Sequence, residues 1–310
     1  MLTFAVFAHY DPHGQVAPHV LYHLDALATS VNRLIIVSTA TLTPGARQDL
    51  TRRGELVERG NEGYDFCSWQ AGLERLEPWW KADLLLLAND SVVGPLTGYR
   101  QILDGIAARG ATAWGITATA EAEPHVQSYL LGFSGATLCS PLLRAFWLGM
   151  TPAPDRGAAI ERYELGLSRM LRIAGMPPQA YFRPTSWDDL VARTRRARAA
   201  ARRSPGAAAG PSGPLRRRRQ AWEAARPFLA RGGTYNPMIA LWDRALDGRL
   251  PFVKIESLRD DPYHLDRHGD RMLSACERAH PAAFFGVREY LQRTRADYER
   301  LGRVRRKVYR

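Results

Sequence analysis

The sequence predicts an open α/β sandwich on a largely parallel sheet, followed by a mainly helical carboxyl-terminal extension. Three observations predict it. The stretch ADLLLLANDSVVGP, from Ala82 to Pro95, carries four consecutive leucines that stop at Asn89, Asp90 and Ser91, the pattern of a strand buried on both faces. A strand-like Thr3 to Ala8 and a buried-strand run RLIIV at 33–37 flank Val20 to Thr29, whose apolar residues recur at helical spacing. That βαβ opening requires parallel pairing. Finally, 45% of the 310 residues are hydrophobic, enough for one large domain with a full core.

The remaining elements follow in order. Leu56 to Glu58 reads as a short strand before the loop RGNEGYDF, and Cys67 to Leu76 as a helix bearing Trp69. After the leucine strand, Tyr99 to Ala108 is helical in pattern, Ala113 to Thr117 and Ser128 to Ser134 are strands, and Leu142 to Leu148 and Ile160 to Ile173 are helices. From Arg193 the composition turns to Arg and Ala, then to RRSPGAAAGPSGP and four arginines at 216–219. Pro, Gly and Ser at that density build no core, although the Arg/Ala flank is compatible with helix. The expected organisation is a sheet domain over 1–190, a flexible linker over 191–219, and a helical extension over 220–310 that packs on the sheet domain. No internal repeat is present.

The net charge of +12 is unevenly spread. Residues 191–219 hold ten arginines and no acid, and residues 287–310 hold nine Lys or Arg against three acids, so the rest of the chain is mildly acidic. Two detachable basic pieces on an acidic body argue against a nucleic-acid channel and for contact with an anionic surface or lipid phosphate; a solvated linker and helix face is the plainer alternative. Cys67, Cys139 and Cys276 are far apart and odd in number, so three unpaired thiols in a reducing cytoplasm are expected. The amino terminus has neither the basic flank nor the cleavage site of a signal peptide, and no segment approaches the apolar length of a membrane helix.

Strand ends locate the candidate site, because open α/β sheets bind ligands at their carboxyl edge. Asp90 stands at such an end, in reach of a metal or a diphosphate. One carboxylate suffices for Mg²⁺ when substrate phosphates and water complete its octahedron, yet Asn-Asp-Ser is also an ordinary polar turn. His9 and Tyr10 follow the first strand. In RGNEGYDF, Gly60 and Gly63 permit close backbone approach to a ligand, and Asn61 or Asp65 can bond a base or ribose hydroxyl; a surface turn has the same composition. His125, Gln127 and Ser128 precede a strand, where a histidine ligates, donates to phosphate or caps local structure. Glu161 and Glu164 begin the helix at 160–173. Acids there are favoured by the helix dipole alone, and a carboxylate on a rigid helix end beside the ligand edge can also act as a general base.

In this order the blocks VFAHYDPHGQV, RGNEGYDFCSWQAGL, LLLANDSVVGPL, WGIT, HVQSYLLGFS, RYELGLSRML, YNPMIALWDRAL and LPFVKIESLR resemble the rhamnan synthesis F family, bacterial glycosyltransferases of polysaccharide assembly. The resemblance implies a GT-A-like nucleotide-binding, Rossmann-type sandwich. It implies a nucleotide-sugar donor such as dTDP-rhamnose, a saccharide or lipid-linked saccharide acceptor, and a cytoplasmic location, peripheral to the membrane's inner face. Asn89-Asp90-Ser91 resembles the acidic motif of such enzymes with one carboxylate missing. Asp90 would therefore hold a divalent cation, Mg²⁺ or Mn²⁺, or the donor ribose. His9, Tyr10, Asn61, Gly63, Asp65, Asn89, Ser91, Trp114 and Gln127 would line the donor pocket. Glu164 takes the position of the catalytic base, Glu161 is its alternative, and His125 would stabilise the leaving diphosphate.

Overall fold

A computed structural model describes residues 1–202, 223, 233–266 and 270–305. Its centre is a seven-stranded sheet formed from β1 (Thr3–His9), β2 (Arg33–Ser38), β3 (Glu55–Glu58), β4 (Leu84–Asn89), β6 (Ala113–Gly115), β9 (Leu130–Ser134) and β10 (Gln179–Ala180). The strand order is β10-β6-β9-β4-β1-β2-β3. All pairings are parallel except those of β9, which runs antiparallel between β4 and β6. Two short antiparallel ladders complete the strands: β5 (Val92–Val93) with β11 (Val253–Lys254), and β7 (Ala118–Thr119) with β8 (His125–Val126).

The leucine run alternates between two cores, as a strand covered on both faces must. Leu84, Leu86 and Ala88 join Ala5, Phe7 and Ile36 in a core covered by the helices at Pro18–Ala28 and Tyr99–Ala107 and by residues of the carboxyl-terminal region. Leu85 and Leu87 join Phe4, Val6 and Val37 on the other face, under the helices at Tyr64–Arg75, Pro141–Leu148 and Gly166–Ile173. Gly72 lies so close to Val6 that a Cβ there would meet its Cγ1 at 2.2 Å, which explains a glycine inside a helix that packs on the sheet.

Successive strands run outward from β1 through β2 to β3, and the chain then returns to place β4 on the other side of β1. The carboxyl ends of β1 and β4 therefore flank the point where strand order reverses, the crevice in which such sheets bind ligands. The topology is the open α/β sandwich on a largely parallel sheet that the sequence predicts.

The carboxyl-terminal region is bound to this crevice rather than appended to the chain's end. Val253 and Lys254 pair with Val93 and Val92, the Ile255 N–H donates to the Ser91 carbonyl at 3.0 Å, and the Leu96 N–H donates to the Pro251 carbonyl at 2.7 Å. In the helix at Val287–Arg305, Arg293 grips the buried Asp11 with both guanidinium nitrogens, at 2.9 and 2.5 Å.

The first part of the segment expected as linker, up to Arg202, is helical. Ser186–Arg202 is one helix, with Ala192 and Ala199 buried. Arg195 makes a two-pronged pair with Asp243 at 2.7 and 2.9 Å, and Arg196 lies over the Tyr263 ring at 4.9 Å. The alanines pack and the first arginines find partners, so this part of the chain is structural. The Pro/Gly/Ser stretch at 204–214 and the arginines at 216–219 lie outside the described residues. Most described arginines of the last helix are also committed: Arg288 to Glu277 and Asp270, Arg295 to Glu299, Arg300 to Asp297. All three cysteines are free thiols, and among the described residues no helix is long and apolar enough to cross a membrane.

Candidate active site

A cavity of about 590 Å³ opens at the carboxyl ends of β1 and β4. His9, Tyr10, Asn61, Gly63, Asp65, Asp90 and Ser91 all line it, so seven residues singled out from three separate segments come together. A shallower depression of about 310 Å³ at the opposite edge of the sheet contains Arg33, Arg53 and Glu55. Those charges are paired with one another or with Asp25, and the ligand edge of the fold is elsewhere.

Asp90 is fixed from the neighbouring strand: the Tyr10 N–H donates to its carboxylate at 2.6 Å. Burial pushes the Asp90 carboxyl well above the usual carboxylate range, against that hydrogen bond. Asn89 lies just beneath the cavity and is fully engaged. Its amide donates to Asp65 at 2.8 Å, and its carbonyl oxygen accepts from the Ser91 N–H and hydroxyl at 3.1 and 2.6 Å. Burial pushes Asp65 up to about 6, again against its hydrogen bond. Gly63 caps the helix that carries Asp65 in a left-handed conformation, φ 70°, and a Cβ there would meet Cys67 Sγ at 2.2 Å. Glycine is required at that turn on both counts. His9 is buried, bonds Ser38 through Nδ1 at 3.0 Å, and is lowered to about 4 by burial, so it faces the cavity as a neutral imidazole.

Glu164 lies beside the cavity without lining it. It sits in a wide π-helical turn, Ile160–Leu165, inside the helical run that begins at Arg156, a feature often found at functional sites. It accepts from the Ser128 N–H at 3.0 Å and from the Ser128 hydroxyl, and its other oxygen meets His125 Nε2 at 3.2 Å. The second His125 nitrogen faces the Glu123 carbonyl at 2.8 Å. With an acceptor at each ring nitrogen, the imidazolium is the form that satisfies both. Burial opposes that charge, but Glu164 and the Glu123 carbonyl prevail and raise the His125 pKa; the same pairing holds Glu164 below its ordinary value despite its own burial.

Three expected site residues lie elsewhere. Trp114 belongs to the core, 1% exposed, with its indole against Gly132 on the paired strand; its bulk fills the space a glycine leaves. Gln127 is buried and accepts from the Thr117 hydroxyl at 2.7 Å. Glu161, on the turn before Glu164, points to solvent, because the π turn brings Glu164 and not Glu161 to Ser128.

Two thirds of the residues that line the cavity are not singled out from sequence. Arg156 opens the helical run, Lys254 ends β11, Glu256 and Arg259 follow in the helix at Ile255–Asp260, and Tyr290 and Tyr298 reach in from the last long helix. Arg259 stacks on Tyr298 with its guanidinium 3.9 Å from the ring centre, and the two tyrosine hydroxyls are 3.3 Å apart.

The donor set around Asp90 does not make a metal cage. One Asp90 oxygen is taken by Tyr10, the Asn89 amide is turned to Asp65, and no group of three His, Cys, Asp or Glu side chains suited to a metal occurs among the described residues, so a cation at Asp90 would depend on substrate phosphates and water for the rest of its shell.

A model of the family described as rhamnan synthesis protein F matches residues 34–201. The chain belongs to that family. The match takes in β2 through nearly all of the helix at 186–202, and hence Asn61, Asp65, Asp90, His125, Arg156 and Glu164; Lys254, Arg259 and the two tyrosines lie beyond it. The virulence protein VirA of Vibrio anguillarum is 34% identical over 116 residues, 36% of this chain and 36% of that protein, so the chain spans little over a third of the length of the curated relatives it matches. Among solved structures it is similar to glucosyl-3-phosphoglycerate synthase from Mycobacterium tuberculosis in complex with Mn²⁺, UDP-glucose and phosphoglyceric acid, at TM-score 0.37 and 12% identity over 69% of this chain and 85% of that one. It is also similar to 4-diphosphocytidyl-2C-methyl-D-erythritol synthase from Anaerococcus prevotii DSM 20548, at TM-score 0.32 and 14% identity over 52% and 82%.

Proposed function

We propose that this protein is a glycosyltransferase that moves a hexosyl group, L-rhamnose, from a nucleoside diphosphate donor to a saccharide or lipid-linked saccharide in polysaccharide assembly. Family membership supports glycosyl transfer. The observation that carries the reading is the meeting of Tyr10, Asp65 and Asp90 at the strand-order reversal, in a cavity large enough for a nucleotide sugar. The donor's nucleoside would sit among His9, Tyr10 and Asn61, with its sugar toward Asp90 and Ser91.

Transfer with inversion needs one carboxylate. The acceptor oxygen bonds to the anomeric carbon as the bond from that carbon to the diphosphate oxygen breaks, the electron pair leaves with the diphosphate, and the hydroxyl proton passes to the base. Glu164 is assigned that role because His125 and Ser128 orient it and hold it ionised, while Oε1, which meets only His125, keeps a lone pair for the incoming proton; Oε2 is filled by the two Ser128 bonds. Glu256 lines the cavity and is the second candidate.

The working location is the inner face of the cell membrane, with the arginines from Arg202 to Arg219 toward anionic lipid. Thermal melting of the full chain against a panel of nucleotide sugars tests the donor assignment, since a ligand of the native state raises apparent stability. Stabilisation by dTDP-rhamnose above UDP- and GDP-sugars is expected; stabilisation by another donor alone would replace the sugar, and by none would remove the donor reading.

A further inference from the structure

Three cations line the cavity: Arg156 inside the family match, and Lys254 and Arg259 from the carboxyl-terminal segment. Their commitments differ. Arg259 is held by Asp260 at 2.8 Å and by the Tyr298 ring, and Lys254 pairs with Glu256 at 3.3 Å. Arg156 ion-pairs with none of the described residues, although it stands at a cavity wall and not on the open surface. Arg156 and Lys254 both act electrostatically on Asp65 and on Glu256, and Lys254 also acts on Glu164. Both cations line the same cavity as Asp65, Asp90 and Glu256. A guanidinium fork and an ammonium around one space match a diphosphate, the fork gripping two phosphate oxygens and the ammonium serving as a point charge.

We propose that Arg156 and Lys254 bind the diphosphate of the donor and take up the charge that develops on it as the sugar departs. The proposal rests on the nucleotide-sugar reading of this cavity. It assigns leaving-group stabilisation to side chains in a site whose donor set lacks the second ligating carboxylate beside Asp90. It also gives the carboxyl-terminal segment a chemical task. β11 is pinned to β5 directly after Asp90 by the Ile255–Ser91 bond, which sets Lys254 at a fixed distance from the strand end. Prepositioned charge of this kind needs no reorganisation during reaction. Arg259, already neutralised by Asp260, holds Tyr298 in the wall.

Calorimetry on the full chain in chelator, with dTDP, UDP and GDP against their monophosphates and against pyrophosphate, separates the contributions. The wild-type chain is expected to prefer the diphosphate of its nucleotide without added metal. R156M and K254M should each cut diphosphate affinity about ten- to hundredfold, the effect of losing one charge-assisted contact, while monophosphate affinity changes by less than about threefold. R156K should fall between wild type and R156M, since an ammonium cannot fork. Melting temperature checks folding, and R156M, which breaks no ion pair among the described residues, should melt as wild type does. An unchanged diphosphate-to-monophosphate ratio in folded R156M and K254M would overturn the proposal. Diphosphate binding that appears only with Mg²⁺ or Mn²⁺ would overturn it and leave the nucleotide reading standing. A wild-type chain that binds no nucleotide with or without metal would overturn both, and pyrophosphate binding alone would point to a diphosphate-lipid acceptor in place of the donor.

Discussion

The Tyr10 N–H reaches across the gap between β1 and β4 to the Asp90 carboxylate at 2.6 Å, joining the two strand ends at which sheet order reverses. The bond makes Asp90 part of the backbone geometry of the crevice as well as part of its lining. Asp90→Asn retains an oxygen for Tyr10 and removes the ionisable carboxyl. The variant should melt within a few degrees of wild type yet lose about 10²-fold or more in single-turnover transfer, the range seen when a preorganised polar group is removed from a reacting centre. Near-normal turnover would take Asp90 out of the mechanism.

Asp188 anchors the other end of the carboxyl-terminal region. Its side chain has no exposed surface and accepts from Arg244 at 2.6 Å, from Arg249 at 2.8 and 3.1 Å, and from the Thr185 N–H and hydroxyl. Arg249 first, then Thr185 and Arg244, hold its carboxyl far below the ordinary range against the cost of burial. A carboxyl depressed on folding contributes stability that is fully present above its unfolded value, about 4, and is lost as pH falls through the folded value. Wild-type stability should therefore decline as the solution is acidified below about pH 4. Asp188→Asn should cost about 3 kcal/mol at neutral pH, and its deficit should shrink in acid. Urea unfolding at pH 7 and pH 3 measures both; a deficit that stays constant would show that the cluster's charge is not what stabilises it.

The arginines divide into two groups with opposite expected effects. Arg195 is paired with Asp243 inside the structure, so Arg195→Met should lower the melting temperature and leave vesicle binding unchanged. Replacing Arg216 through Arg219 with serine should leave melting unchanged and weaken binding to vesicles containing phosphatidylserine, at about 1 kcal/mol per charge removed near the surface. Cosedimentation reads the second effect. Equal binding by both chains would leave those four arginines as solvated charge.

The legibility of the site follows the sequence distance over which its parts are assembled. β1, β2 and β4 are runs of buried apolar residues with polar stops, so the strand ends, and with them His9, Tyr10, Asp90 and Ser91, can be placed from sequence alone. Lys254 enters through a ladder of two residues per strand, too short to leave a periodic signal, and its partner Val92 is more than 160 positions away. The basic and acidic residues of KIESLR after an apolar PFV were the available clue. Trp114 shows the converse case: an aromatic beside Gly115 in a site-like block is explained by Gly132 across the ladder, a partner visible only once β9 is known to run antiparallel. The packing of the Arg/Ala flank is hidden for a similar reason. Arg/Ala composition does not reveal that Asp243 and Tyr263 wait to receive Arg195 and Arg196.

Glu164 and His125 form a pair whose two members report on each other, which allows the base assignment to be separated from a merely positioning one. His125 is raised above its ordinary value because Glu164 and the Glu123 carbonyl overcome its burial. The pair's contribution to stability is thus largest between about pH 4.3 and 6.5, the ordinary Glu and His values; it is lost as pH rises through the folded His125 value and as pH falls through the folded Glu164 value. In Glu164→Gln the carboxylate is gone while the burial remains, so His125 should titrate below its ordinary value by NMR, and the variant should lose stability relative to wild type mainly on the acid side. If Glu164 is also the base, single-turnover transfer should fall about 10²- to 10⁴-fold with nucleotide affinity within a few fold of wild type. Glu256→Gln, which leaves His125 untouched, should then retain most of its turnover. A chain in which the His125 titration shifts but transfer proceeds normally would make Glu164 a positioning residue for the loop at 125–128. Loss of turnover in Glu256→Gln would then move the base to the cavity wall beside Lys254.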